Sequence, residues 1–349
     1  MFLAAKTKGF VIDRGEQTTL IARVSALQAP IILEEVRECP TGDEAALNDA
    51  LTSLRPKKGS GFSQVHCGVS PQARFIRRAT LDLKRVKEAD YLSEVVNTQF
   101  RIDPAQSMIS VLNAFDGLDF DAAKAGANKE VVFCGLPSAD VMRTQADLLK
   151  LGLFPARLEL SSMACLGAII DYLKFSDSTK PTLVLELGSE QTQSYIVSAR
   201  GLEATRPIGV GLDAMVPVVQ KELGLKDEES ARKLFFSNTF DFTGMGALLC
   251  KRLLKELQSS MGFYEVQTGQ SINQLLCPVL PAKLAWLEAV IASQIGVTVL
   301  QPEPGPWLTA RKISLSQAVP ASSLDVRKFA LLGLMIHFNN PASDAVPAQ

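Results

Sequence analysis

The sequence predicts a two-lobed α/β protein whose halves share one strand–turn–strand design. Three observations point there. The chain has 349 residues, more than the roughly 250–300 at which a single hydrophobic core stops growing. Short apolar, β-branched runs alternate with stretches of helical periodicity from end to end. Finally, an acidic-x-Gly turn closes a strand twice, at Asp13–Gly15 and at Glu186–Gly188, 173 residues apart.

The elements follow in order. Residues 9–13 and 20–26 are strand-like runs joined by a polar turn, and 31–36 is a third run. Thr41, with Glu44 three residues on, reads as a capping box for a helix ending near Leu54, where 56–61 stops it. Residues 65–69 return as a strand. An insert then begins with a basic stretch, a helix from about Val86, and strands at 108–114 and 131–136. Ser138 is expected to cap a helix ended by Gly152, and Met163–Tyr172 is a helix of the first lobe. Residues 176–181 read as a linker. The second lobe repeats the plan with strands at 183–187, 194–197 and 203–208. Helices follow at 212–223, 227–236 and 245–264, then a strand at 273–276, a helix at 281–295 and a strand at 297–300. The expected domains are 1–71 and 159–180 (first-lobe core), 72–158 (insert), 181–322 (second lobe), 323–338 (a helix returning to the first lobe) and 339–349 (a disordered tail).

Composition excludes several classes. A formal charge of −1 supplies no global field for nucleic acid. Six scattered cysteines without a C-x-x-C pair, and only two histidines, argue against a disulfide framework or a histidine-based metal site. No run approaches the roughly 20 apolar residues that cross a bilayer. The apolar part of the N-terminus is too short for a secretory signal, so a cytoplasmic protein is expected.

Acidic-x-Gly hairpins have a known chemistry. Glycine lets backbone N–H groups converge on phosphate, and a strand-end carboxylate can hold Mg²⁺ through its waters. Around them stand further motifs. These are Val11-Ile12-Asp13-Arg14-Gly15, Leu148-Leu149-x-x-Gly152-Leu153-x-Pro155, Leu183 to Gly188, and Arg206-Pro207-Ile208-Gly209-Val210-Gly211 before a helix. Glu256 to Ser260 before Phe263-Tyr264, and Ala330 to Leu334, complete the series. In this order, over about residues 9–338, they resemble the PilM proteins of type IV pilus assembly, relatives of the cell-division protein FtsA.

That resemblance implies an actin-like (duplicated ribonuclease H-like) fold with an extra subdomain in the first lobe. It implies an ATP–Mg²⁺ cleft with Asp13, Gly15, Thr18, Thr19, Glu186, Gly188, Gly209 and Gly211 as candidates; Asp13 and Glu186 are either its Mg²⁺ ligands or plain turn residues of a retained fold that binds no nucleotide. The implied partners are the cytoplasmic N-terminal tail of a PilN-like inner-membrane protein and, further, a pilus motor ATPase. The implied location is the inner face of the inner membrane.

This chain departs from the family pattern at the nucleotide. The lysine expected after the first glycine is missing, and Glu16 opposes phosphate by like charge. The second hairpin carries Glu186 for Asp. Arg232 and Phe235 stand at the family's Glu and Lys positions against the nucleoside. Its Gly-Gly turn is replaced by Leu276-Cys277-Pro278-Val279-Leu280-Pro281. The expectation is a scaffold with weak or lost hydrolysis. An active ATPase and a polymerising cytoskeletal protein of the same fold stay open.

Three other features have plainer readings. The basic residues between Arg74 and Lys87 are expected on a solvated strand face, with a partner-facing role second. His66 and Cys67 are adjacent on a strand and point to opposite faces, so no Cys–His pair is expected. The last helix is expected to dock on the first lobe.

Overall fold

The computed structural model describes residues 8–55, 61–123, 129–237 and 239–336. One compact unit takes in Met1–Phe175 and Glu303–Gln349, the other Ser176–Pro302. The first opens with β1 (Gly9–Arg14), β2 (Thr18–Val24), β3 (Ile31–Pro40), α1 (Glu44–Leu54) and β4 (Ser63–Val69). The insert follows as β5 (Phe75–Thr80), α2 (Tyr91–Phe100), β6 (Ser107–Asn113) and β7 (Glu130–Pro137). Then come α3 (Ser138–Lys150), β8 (Leu153–Leu160) and α4 (Ser161–Phe175). The second unit holds β9 (Thr182–Leu187), β10 (Thr192–Ser198), β11 (Gly201–Ile208), α5 (Val216–Glu222), α6 (Glu228–Ser237), α7 (Gly246–Leu249) and α8 (Lys251–Thr268). It ends with β12 (Gln274–Leu276), α9 (Trp286–Ile295) and β13 (Thr298–Val299). The chain returns to the first unit as α10 (Pro304–Ala310), β14 (Ile313–Leu315) and α11 (Phe329–Gly333).

The duplication is visible in strand order. One sheet runs β14-β3-β2-β1-β4-β8, the other β11-β10-β9-β12-β13. In both, the first hairpin and third strand are antiparallel, and the next two strands add in parallel beside the first. The insert is a separate antiparallel sheet, β5-β7-β6, with its own core of Phe75, Leu81, Val86, Tyr91, Val131 and Phe133.

Several expectations change. β3 runs to Pro40 because it pairs with β2 along its length, Thr18 opposite Pro40. Asp43, not Thr41, caps α1, its Oδ1 accepting from Ala46 N–H at 2.9 Å. The insert's helix starts at Tyr91 rather than near Val86. Pro137 precedes α3 without a side-chain cap bond, so Ser138 is its first residue and not its cap. β8 pairs in parallel with β4, so the insert closes at β7 and residues 153–158 belong to the main sheet. The expected helix 245–264 breaks at Cys250 into α7 and α8. The expected helix 281–295 shortens to α9 after a 3₁₀ turn.

The second unit ends at Pro302, not at 322. Residues 303–322 carry α10 and β14, which the periodicity did not reveal, and β14 pairs with Ile31–Leu33 of β3. Asp171 of α4 anchors this return, accepting from Arg311 Nε and Nη2 at 2.7 Å each and from Trp307 Nε1 at 2.8 Å. The last helix is α11 alone, preceded by two 3₁₀ turns. The expected helix end at 337–338 and the expected tail 339–349 lie outside the described residues, as does 56–60 of the stop after α1.

α11 docks on α4 of the first unit. The contact is made by small residues: Gly333 backs directly on the Ala164 backbone, and Ala168 is fully buried. Beside it, Trp307 stacks on Phe329 with ring centroids 5.5 Å apart.

Arginines of the basic stretch make internal pairs, while Lys84 and Lys87 are exposed. Arg74 donates to Ser162 Oγ at 3.0 Å, Arg78 pairs with Glu130 at 3.1 Å and Arg85 with Glu94 at 2.6 Å. Ile76 is buried as well as Phe75, so β5 is covered on both faces rather than alternating.

All six cysteines are buried and unpaired by disulfide. Burial pushes the thiols of Cys67, Cys134 and Cys250 up to about 12. A thiol reagent at pH 8 is therefore expected to leave the native protein unlabelled over minutes and to modify all six cysteines in denaturant. Mass spectrometry of the intact protein reads this directly.

Candidate functional site

The first hairpin joins β1 to β2. Gly15 N–H donates to Thr18 O at 3.1 Å, closing a tight turn over Glu16 and Gln17. Asp13 lies opposite Leu20 and Arg14 opposite Thr19. Paired residues share a face and neighbours alternate, so Asp13, Gly15 and Thr18 lie on one face while Arg14 and Thr19 lie on the other. Asp13 is buried, and its Oδ1 accepts from the Ser161 hydroxyl at the start of α4, at 2.5 Å. Gly68 on β4 backs onto the same spot: a Cβ there would lie 2.7 Å from Ser161 Oγ.

Thr19 is engaged with the chain beyond the third strand. The Thr41 hydroxyl donates its single proton to Gly15 O at 2.8 Å. The 3.0 Å contact between the Thr19 and Thr41 hydroxyls therefore uses the proton of Thr19. Thr19 ties the hairpin to the chain beyond β3. Thr18 is half-buried on the Asp13 face.

The second hairpin repeats this construction in its own unit. Gly188 N–H donates to Gln191 O at 3.0 Å, and Glu186 lies opposite Gln193. Thr192, the counterpart of Thr19, donates to Val210 O at 2.7 Å. Leu212 N–H donates to Gly188 O at 2.9 Å, as the Thr41 hydroxyl does to Gly15 O. Glu186 is buried, with the Tyr195 phenol donating to its Oε2 at 3.4 Å.

The two glycines of the following turn differ. A Cβ on Gly211 would lie 2.6 Å from Gln191 N and closer still to Ser189 O, so glycine is required by the approach to the hairpin. Gly209 has open space around it.

Arg232, Phe235 and the segment 276–281, which the resemblance places at a nucleoside, are engaged within the second unit. Phe235 of α6 is fully buried, edge-on to Phe236, Phe242 and Trp286 with centroids 5.0, 5.7 and 6.4 Å away. Arg232 donates to Asp213 Oδ1 at 2.6 Å. In the segment replacing the Gly-Gly turn, Cys277 N–H donates to Glu288 Oε1 at 2.7 Å, and the Leu280 side chain is core. An adenine needs an open apolar slot with approachable backbone. These residues do not fit that requirement. No group of three or more His, Cys, Asp or Glu able to hold a metal occurs among the described residues.

His66 Nδ1 lies 3.4 Å from Leu334 O, while Cys67 is a buried, protonated thiol on the opposite face. Sequence reasoning missed Ser161 and Thr41 as partners of the hairpin. Ser161 sits at a strand-to-helix junction, where hydroxyls are common. Nothing in the sequence links it to Asp13, 148 residues away.

No family profile matches the sequence, and no curated protein matches it. Among solved structures, a chain of the PilM–PilN type IV pilus biogenesis complex superposes with a TM-score of 0.68 at 17% identity. The match covers 96% of this chain and 100% of that one. The chain has the actin-like fold of that protein. Ethanolamine utilization protein EutJ from Carboxydothermus hydrogenoformans matches at a TM-score of 0.42 and 10% identity, over 95% of this chain and 90% of that one. The cytoplasmic domain of EpsL, an inner-membrane component of the type II secretion system of Vibrio cholerae, matches at 0.40 and 10% identity, over 79% and 84%. No described helix is long and apolar enough to cross a membrane.

Proposed function

We propose that this chain is a PilM-like scaffold of a type IV pilus or related envelope assembly machine. It grips the cytoplasmic N-terminal tail of a PilN-like inner-membrane protein, and its nucleotide hydrolysis is weak or lost. One observation carries the loss of hydrolysis: Phe235, at a family nucleoside position, is fully buried among Phe236, Phe242 and Trp286. Support for the partner comes from the whole-chain likeness to a chain of the PilM–PilN complex.

On this reading Asp13 and Glu186 belong to an inherited frame. Asp13 holds the start of α4 through Ser161, and the hairpin threonines tie each turn to the chain beyond its third strand. A second reading, an active ATPase with Asp13, Thr18, Thr19 and Glu186 around MgATP, is favoured by the two intact glycine turns. Thermal unfolding separates the two. A ligand at 100 times its Kd stabilises by about 2.7 kcal/mol, so millimolar MgATP raises the Tm of an ATPase and leaves that of this scaffold unchanged.

The partner reading is tested by affinity capture of the tagged chain from crosslinked native membranes. The expected prey is a single-span membrane protein with a short cytoplasmic tail, lost when that tail is deleted. Capture unaffected by the deletion overturns the reading.

A further inference from the structure

We propose that the solvent face of α8 is a contact surface for anionic lipid, independent of any protein partner. α8 buries Leu253, Leu254, Leu257, Met261 and Tyr264 against the second unit's core. At 100° per residue, Arg252, Lys255, Ser259, Gly262, Phe263 and Val266 fall on one stripe directly opposite that buried face. Phe263 is 64% exposed and Val266 87% exposed. Both side chains are therefore largely in solvent. Exposed apolar side chains beside basic ones on a helix surface are the combination that binds an anionic membrane interface.

Charge points the same way. Among the described residues Arg252 and Lys255 make no ion pair, unlike the basic residues Arg78 and Arg85 of the insert. Glu256, on the flank of the same helix, pairs with Arg206 at 2.6 Å, and Arg206 also donates to Ser260 Oγ at 2.7 Å. Two uncompensated cations therefore lead into two exposed apolar side chains along one helix face. Gly262 and Ser259 between them keep the middle of the stripe low, so the charged and apolar ends meet a flat surface together. Phosphate headgroups complement the first end and the acyl boundary the second.

Vesicle flotation tests this with the full chain. Vesicles of phosphatidylcholine alone are compared with vesicles also containing phosphatidylglycerol. The chain is expected to float with the anionic vesicles, less so as salt rises, and to remain behind with the neutral ones. Charge reversal in R252E/K255E should lower partitioning by roughly 25-fold or more, since each basic residue near an anionic surface is worth about fivefold. F263S/V266S should lower it comparably, and the emission of F263W should shift to the blue on anionic vesicles only. All these positions are exposed, so the variants should keep the parent Tm. Equal binding to both vesicle types, or variants that bind like the parent, overturns the proposal. So does sedimentation showing that the parent self-associates without lipid and that F263S/V266S is monomeric, which makes the stripe a protein interface.

Discussion

Gly333→Ala is expected to destabilise the first unit by about 3 kcal/mol. A Cβ at Gly333 would lie 2.7 Å from the Ala164 carbonyl carbon and closer still to its oxygen. That obstacle is helix backbone, so no rotamer change relieves it. α11 and α4 must separate, and the layer of Trp307, Phe329 and Leu332 around them is buried and has no slack. Denaturant titration reads the effect as a lower midpoint at unchanged slope. Gly262→Ala provides the opposite sign. Nothing lies within 4 Å of a Cβ there, and the residue is inside a helix. The substitution is expected to stabilise by about 0.5–1 kcal/mol.

Phe235→Ala is expected to cost about 3–5 kcal/mol, the range for emptying a fully buried aromatic site. Its ring sits among three others and in the core with Leu249, Leu253 and Leu284. Phe235→Leu, which keeps most of the volume, should cost markedly less. Neither variant should gain affinity for MgATP, because Arg232 stays on Asp213 and Cys277 N–H stays on Glu288. A loss below about 1 kcal/mol for Phe235→Ala would instead describe a ring at a solvent-facing wall.

The fold was legible where pattern and turn chemistry agreed. Val11-Ile12-Asp13-Arg14-Gly15 and Leu183 to Gly188 each combine an apolar strand with a glycine turn, and both became hairpins with the same closing hydrogen bond. What stayed hidden depends on contacts distant in sequence. β14 is three residues long and acquires its strand identity only by pairing with β3, some 280 residues earlier. Thr41 looked like a helix cap because capping is a local habit of threonine. The hairpin recruits its hydroxyl instead, and Asp43 two residues on takes the cap.

The candidate site shows the same division. Asp13 and Glu186 were found from their place at strand ends, yet their partners Ser161 and Tyr195 were not. Thr18 and Thr19 looked equivalent as neighbours in a polar turn. Pairing of Arg14 with Thr19 separates them, leaving only Thr18 on the face of Asp13. Gly211 has a need for glycine that the sequence does not show, since Ser189 and Gln191 leave no room for a Cβ.

Phosphate release from MgATP by the purified chain, beside Asp13→Ala and Asp13→Asn, tests the central claim most directly. Far-ultraviolet circular dichroism of each variant verifies that it is folded. The account predicts that the parent releases phosphate well below the enzymatic range of about 1 s⁻¹, close to the level of the two variants. Turnover in the enzymatic range of about 1 s⁻¹ or above, abolished by both substitutions, would contradict it.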